Sequence, residues 1–361
     1  MTGMREQVRS TGTTTARDGV RVAGLRKSYG TVPVLHGVDL AVTEGELTAV
    51  LGRSGCGKTT LLRLVAGFDR PDAGTVVVGG REVAGPGTFL PPEDRRIGYV
   101  TQDGNLFPHL TVAANIVFGL PLRDRRARRR VPELLELVGL DEGYARRYPH
   151  ELSGGQQQRI ALARALAPEP GIVLLDEPFS SLDVELREST RRAVVAALAA
   201  AGTTTILVTH DQSEALSLAS RVAVMRDGKI VQADRPADLY HNPVDGAVAA
   251  FVGAVVALPA TVTDGGATCA LGRVPVADGS PDGPATVLIR PEQITIDVVG
   301  SGVSAEVLEI EFYGHDVLVR LALDEGSTVT ARCPGFAFPT VGDVVGLTVR
   351  GPAGLHAPRA G

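Results

Sequence analysis

The sequence predicts an α/β fold with a parallel sheet over its first two thirds and a separate all-β domain after it, on three observations. Over residues 20–232, short apolar runs rich in Val, Leu and Ile alternate with longer helical patterns. Three of those runs end directly at Gly52, Asp176 and His210. Open α/β sheets place their ligands there, at the carboxyl ends of strands. Over residues 259–361 the chain changes to short alternating runs dense in Val, Thr and Gly, such as DVLVRLAL, which predict a small barrel or sandwich.

In chain order, residues 1–19 are polar, lack the apolar stretch of a secretory signal, and read as a disordered tail. The α/β domain is expected over 20–240, with strands at 47–51, 76–78, 97–101, 172–175, 205–209 and 221–225. From about 108 to 155 the pattern becomes helical without strands. In VPELLELVGL, for instance, Val131, Leu134, Leu135 and Val138 recur at helical spacing. This predicts an inserted helical subdomain. Just before that run stands RDRRARRR, residues 123–130, the strongest charge run in the chain. It reads as a solvated helix face, or else as a contact for anionic head groups or nucleic acid. Residues 241–258 mix turn residues with small apolar ones and read as a linker.

Composition narrows the function classes. The net charge of -5 over 361 residues argues against a nucleic-acid binder by bulk electrostatics. No window holds eighteen uninterrupted apolar residues, so any membrane role is expected through a partner. The three cysteines, Cys56, Cys269 and Cys333, have neither an even count nor CxxC spacing, and fit small hydrophobes in a reducing compartment.

The chemistry concentrates in a few strings. GRSGCGKT spans Gly52, Arg53, Ser54, Gly55, Cys56, Gly57, Lys58 and Thr59, with Thr60 next, and follows a strand and opens a helix. Its glycines let backbone N–H groups turn around phosphate oxygens at a helix start. Lys58 is suited to bridge the β- and γ-phosphates and Thr59 to coordinate Mg²⁺. Only three of the 36 basic residues are lysines, so a chain that writes arginine nearly everywhere keeps a compact point charge here. GIVLLDEP ends an apolar strand in Asp176 and Glu177. Asp176 can hold Mg²⁺ and Glu177 can act as general base toward water, although the pair alone also fits a helix cap or exposed loop. Gln102, at a strand end, can contact both metal and water, and His210 can reach a γ-phosphate. In LSGGQ, Ser153, Gly154, Gly155 and Gln156 precede a helix and form a second anion site.

Together these strings resemble the ATP-binding cassette family over roughly residues 20–253. Tyr29 matches the aromatic that stacks on adenine, Gln102 the glutamine loop, LSGGQ the signature, and Ser181, Leu182 and Asp183 the loop after the catalytic acid. His210 matches the switch histidine. The resemblance implies a P-loop NTPase cassette with an inserted helical subdomain. It implies an ATPase using ATP and Mg²⁺, with catalytic residues Glu177, His210 and Gln102 and metal contacts from Thr59, Gln102 and Asp176. It also implies a head-to-tail dimer in which the phosphate loop of one copy and LSGGQ of the other sandwich ATP.

Phe107, Leu110 and their neighbours resemble the region where importer ATPases receive a permease helix. VLIRPEQI resembles the OB-like TOBE domain appended to importer ATPases, and AAFVGAVVALPATV and EFYGHDVLVRL look most like ferric-iron importers. The implied setting is the cytoplasmic face of a bacterial membrane, with permease subunits and, indirectly, a solute-binding protein. Polyamine, molybdate or sulfate, and thiamine are alternative cargoes. An exporter, or a soluble ATPase acting on DNA or ribosomes, fits less well, because the chain has one cassette, an appended β-domain and no long coiled-coil insertion.

Overall fold

A computed structural model describes residues 17–120, 129–277 and 280–356. The chain divides into two compact units, 1–231 and 232–361. In the first, β1 (Asp18–Tyr29), β2 (Val32–Thr43), β4 (Ala73–Val78), β5 (Arg81–Gly85) and β6 (Thr88–Phe89) form an antiparallel sheet in the order β2-β1-β4-β5-β6. The second sheet holds β3 (Leu47–Leu51), β7 (Ile97–Val100), β8 (Ile172–Asp176), β9 (Thr204–Thr209), β10 (Arg221–Arg226) and β11 (Lys229–Asp234). Its order is β11-β10-β3-β9-β8-β7, and the strands from β10 to β7 run parallel. β8 and β9 are buried along their whole length, which is why IVLLD and TTILVT carry no outward polar alternation.

Two expectations for this unit need correction. The run 76–78 lies in the antiparallel sheet, pairing through Val76 with Val22 and Ala84. A three-residue apolar run carries no mark of which sheet receives it. The tail stops earlier than expected: Asp18 already pairs with Thr43 at the start of β1. Residues 1–16 lie outside the described residues.

Helix α1 (Lys58–Ala66) runs between two left-handed glycines, Gly57 at φ 105° and Gly67 at φ 91°. Only glycine adopts these freely, so they fix where the helix starts and stops. Its carbonyl end is held by Arg95, whose guanidinium donates to Leu64 O (2.7 Å) and Val65 O (2.8 Å). Burial pushes that group down to about 10, and the helix carbonyls offset part of the cost.

The helical segment comprises α2 (Val112–Ile116), α3 (Val131–Leu137) and α4 (Gly154–Leu166). Leu134, Leu135 and Val138 from the predicted face share one core with Ile160, Leu162, Val173 and Leu175 of α4 and β8. Each such leucine contributes about 1.5–3 kcal/mol. Most of the arginine run lies outside the described residues. Its last member, Arg130, pairs with Glu169 at 2.7 Å and donates to Ala167 O, so it serves the fold. The unit closes with α5 (Val184–Ala200) and α6 (Gln212–Leu218). Among the described residues no helix is long and apolar enough to cross a membrane.

The second unit carries α7 (Pro236–His241), α8 (Gly246–Val252) and two five-stranded sheets, whose ladders among the described residues are antiparallel. The expected linker is therefore largely structured, since α8 and the strand from Val256 occupy much of it. Asp245 caps α8 through Val248 N at 2.7 Å, and Arg290 closes the other end. Buried Arg290 donates to Ala249 O, Gly253 O and Ala254 O at 2.9–3.1 Å and to Tyr240 O at 2.7 Å, with its guanidinium 3.9 Å from the Tyr240 ring. A buried cation spread over helix-end carbonyls stabilises a short run whose small side chains look like linker. The two sheets share a core that includes Leu258, Val262, Val287, Val307, Val319 and Leu347, with Cys333 buried among them. All three cysteines are free.

Candidate functional site

At the carboxyl ends of β3, β8 and β9 the chain gathers Lys58, Thr59, Asp176, Glu177 and His210. Gly52 follows β3, and a Cβ there would sit 2.6 Å from both Cys56 Sγ and Met225 O. Gly55 turns at φ 82°. Among the described residues, no carbonyl takes the N–H of Ser54, Gly55 or Gly57. A concave row of free amides at the start of a nine-residue helix suits an anion of several oxygens. Arg53 and Ser54 are exposed on its rim, while burial pushes the Cys56 thiol up and leaves it a small protonated group.

Lys58 is buried, and its ammonium donates to Gly52 O (2.8 Å) and Arg53 O (3.2 Å), with Glu177 Oε1 3.6 Å away. Thr59 donates its hydroxyl to Asp176 Oδ1 at 3.1 Å. These two hard oxygens, at a strand end and a helix start, are the donor type that Mg²⁺ takes while keeping waters and phosphate oxygens for its remaining positions. Burial, chiefly, holds the Asp176 carboxyl above its ordinary range, with hydrogen bonds from Tyr99 and Thr59 opposing the shift.

Glu177 has φ 46°, a left-handed conformation for a residue with a side chain. Its N–H donates to Val208 O at 2.9 Å, and its Oε2 lies 2.9 Å from His210 Nδ1. The sharp turn directs the carboxylate out over the strand ends instead of continuing the alternation of β8. His210 stands half in solvent, on a segment braced from beneath. Arg191 on α5 pairs with Glu214 at 2.8 Å and Asp211 at 3.2 Å, and Glu214 also accepts from Thr209.

Tyr29 is 45% exposed, with the Lys27 ammonium 5.3 Å from its ring centre, and its hydroxyl donates to Asp69 Oδ2 at 2.8 Å. Thr60 neighbours that hydroxyl. Arg63 holds Asp69 at 2.7 Å and keeps its carboxyl below the ordinary range.

The remaining expected residues stand apart. Gln102 is exposed, and among the described residues nothing joins it to Lys58, Asp176 or Glu177. Ser153 caps α4 by accepting from Gln156 N (3.3 Å), and Gln156 returns the bond to Ser153 N (3.0 Å). Gly155 has a packing reason that sequence reasoning missed: a Cβ there would meet Thr190 Oγ1 at 2.6 Å, whereas Gly154 is exposed. Asp183 caps α5 through Leu186 N at 2.9 Å. Among the described residues no hydrogen bond joins Ser153, Gly154, Gly155, Gln156 or Asp183 to the phosphate loop of its own chain.

Sequence reasoning also missed Tyr99, Asp69 and Asn115. Fully buried Asn115 accepts from Phe107 N at 2.8 Å and donates to the carbonyls of Phe107, Leu110 and Thr111, each at 3.1 Å, fixing the loop after Gln102. Beside that loop lies an apolar groove of about 600 Å³ lined by Leu110, Ala113, Val117, Phe118, Val131 and Ala145. Phe107 backs it, its ring 4.2 Å from that of Phe118.

Comparison with known proteins decides the family. The chain is 53% identical over 339 residues to the Fe(3+) ions import ATP-binding protein FbpC 2 of Rhodococcus jostii (strain RHA1), covering 92% of this chain and 97% of that one. This chain belongs to the ATP-binding cassette family. The ABC transporter family matches residues 35–180, the TOBE domain 287–355 and the FbpC-like regulatory domain 255–291. The Fe(3+) ions import ATP-binding protein FbpC of Mesorhizobium japonicum is 49% identical, over 92% of this chain and 98% of its own. Among solved structures, the dimeric post-hydrolysis cassette MJ0796 bound to ADP and Pi is 32% identical, with TM-score 0.53 over 60% of this chain and 98% of that one. The cassette cbiO1 from Clostridium perfringens, part of the cbiONQ transporter complex, is 28% identical, with TM-score 0.57 over 62% of this chain and 90% of its own.

Proposed function

We propose that this cassette hydrolyses ATP with Mg²⁺ at sites shared between two copies and thereby energises a bacterial importer of ferric iron. The observation that carries the reading is the 53% identity, over 92% of the chain, with a Fe(3+) import ATP-binding protein. The geometry supports it, because Lys58, Thr59, Asp176, Glu177 and His210 are gathered at the carboxyl ends of neighbouring strands.

In this reading the free amides of the phosphate loop receive the β- and γ-phosphates. Lys58 exchanges its loop carbonyls for phosphate oxygens, so that its ammonium gives up neutral acceptors for charged ones. Thr59 and Asp176 would hold Mg²⁺, which when bound would supply neutralising charge to the phosphates. Glu177 takes a proton from the attacking water. As the water oxygen bonds to the γ-phosphorus, the bond to the β,γ-bridging oxygen breaks, releasing ADP and phosphate. His210, 2.9 Å from Glu177, orients that carboxylate and reaches the γ-phosphate, while Gln102 approaches from the other side. Tyr29 stacks on adenine.

Ser153, Gly154, Gly155, Gln156 and Asp183 complete the site of a second copy. Their separation from their own phosphate loop, together with the dimeric form of the MJ0796 cassette, supports this arrangement. The γ-phosphate then has different affinity for the closed and open pairs, and hydrolysis becomes movement. The groove beside Phe118 receives the permease, which holds the chain at the cytoplasmic face of the membrane, with the solute-binding protein acting through it.

The test is transport by the chain and its permease in vesicles supplied with the loaded solute-binding protein. Ferric iron is expected to enter and to stimulate ATP hydrolysis, and Glu177→Gln to stop both. Stimulation by putrescine, molybdate or thiamine without any by iron would assign another cargo.

A further inference from the structure

We infer that Tyr99 is a positioning residue for the Mg²⁺ site, holding Asp176 so that one carboxylate oxygen stays turned toward Thr59. The inference rests on the nucleotide reading above and goes beyond it, since Tyr99 belongs to none of the recognised strings.

The two oxygens of Asp176 have separate partners. Oδ1 accepts from the Thr59 hydroxyl at 3.1 Å, and Oδ2 accepts from the Tyr99 hydroxyl at 3.0 Å. A carboxylate bound through one oxygen alone can rotate about its terminal torsion, which is broad and two-fold. Bound through both, it has one orientation.

Tyr99 is placed to do this by the sheet. It pairs with Leu174 in the parallel ladder of β7 and β8, and alternation puts Leu174 and Asp176 on one face, so its long side chain reaches one pair forward. Phe68, beyond the end of α1, meets the Tyr99 ring edge to face at 5.3 Å and 87°, which fixes the phenol plane. Burial and the neighbouring Asp176 charge push the phenol up, so it stays a hydrogen-bond donor. Outer partners of metal-binding carboxylates commonly alter metal affinity 10- to 100-fold when removed. Tyr99 also lies three residues before Gln102, so the strand that carries the Gln102 segment is tied by one hydrogen bond to the metal carboxylate.

The experiment uses the full chain with a non-hydrolysable ATP analogue. Mn²⁺ binding is followed by electron paramagnetic resonance, and nucleotide binding is measured separately in EDTA. Tyr99→Phe is expected to weaken Mn²⁺ about tenfold while nucleotide affinity in EDTA stays within twofold. Tyr99→Met, which fills the same space without a hydroxyl, must give the same separation. Unchanged Mn²⁺ affinity, an equal fall in both affinities, or failure of both variants to fold would overturn the inference and make Tyr99 a packing residue. Absence of nucleotide-dependent Mn²⁺ binding in the unaltered chain would instead contradict the nucleotide reading itself.

Discussion

Replacing Asn115 by Leu tests whether one buried amide holds the loop that follows Gln102. Asn115 is wholly buried, and its amide nitrogen donates to three carbonyls while its oxygen accepts one N–H. Two amide hydrogens serve three acceptors, so one is shared, and the set amounts to about three full hydrogen bonds. At roughly 1 kcal/mol each, with the Phe107 N–H left unpaired at a further 1–3 kcal/mol, the gross loss is about 4–6 kcal/mol. Burying a leucine of similar volume returns about 1.5–3 kcal/mol, so the expected net cost is about 1–4.5 kcal/mol. Urea unfolding followed by far-UV circular dichroism should show the first transition shifted by that amount. Hydrogen exchange should show the Phe107 amide losing its protection. A shift below about 1 kcal/mol with the Phe107 amide still protected would refute the reasoning.

Two further perturbations act nearer the chemistry. Arg63 keeps the Asp69 carboxyl below its ordinary range, so the pair stabilises the fold above the unfolded carboxylate range and loses that contribution as pH falls through the depressed value. Asp69→Asn should therefore lower the melting temperature slightly at pH 7, by an amount set by a solvent-screened pair, with the difference vanishing in acid; an equal deficit at every pH would remove the charge argument. Mixing Lys58→Ala with Ser153→Arg chains should restore hydrolysis at up to one site per pair of copies. A mixture of folded chains as inactive as either variant alone would argue against shared sites.

What could be read in advance was local. The phosphate loop and LSGGQ are legible because their work is done by backbone amides and glycines adjacent in the chain. Asp176, Glu177 and His210 are legible because they stand at the ends of apolar strands in the same chain as a phosphate loop. Tyr99, Asn115 and Arg191 carry no such mark, because each acquires its role from a partner reached through the fold. Tyr99 lies 77 positions from Asp176, and Arg191 lies 23 from Glu214. The sheet that receives residues 76–78 is not legible, because an apolar triplet fits either one. Helix α8 reads as linker in the sequence because GAVAAFV is short and small, and what holds it is Arg290, dozens of residues downstream. For Gly155 the sequence suggests a phosphate contact, and the structure adds a second constraint, the close approach of Thr190.

The central claim is that a carboxylate at the end of β8 drives ATP hydrolysis in a pair of copies. Glu177→Gln tests it most directly, with turnover, ATP binding and mass in solution measured on one preparation. The account predicts turnover lower by about 10²–10⁴-fold, ATP still bound, and a pair of copies that accumulates in ATP. Turnover at the unaltered rate, or an ATP-bound protein that stays a single copy, would contradict it.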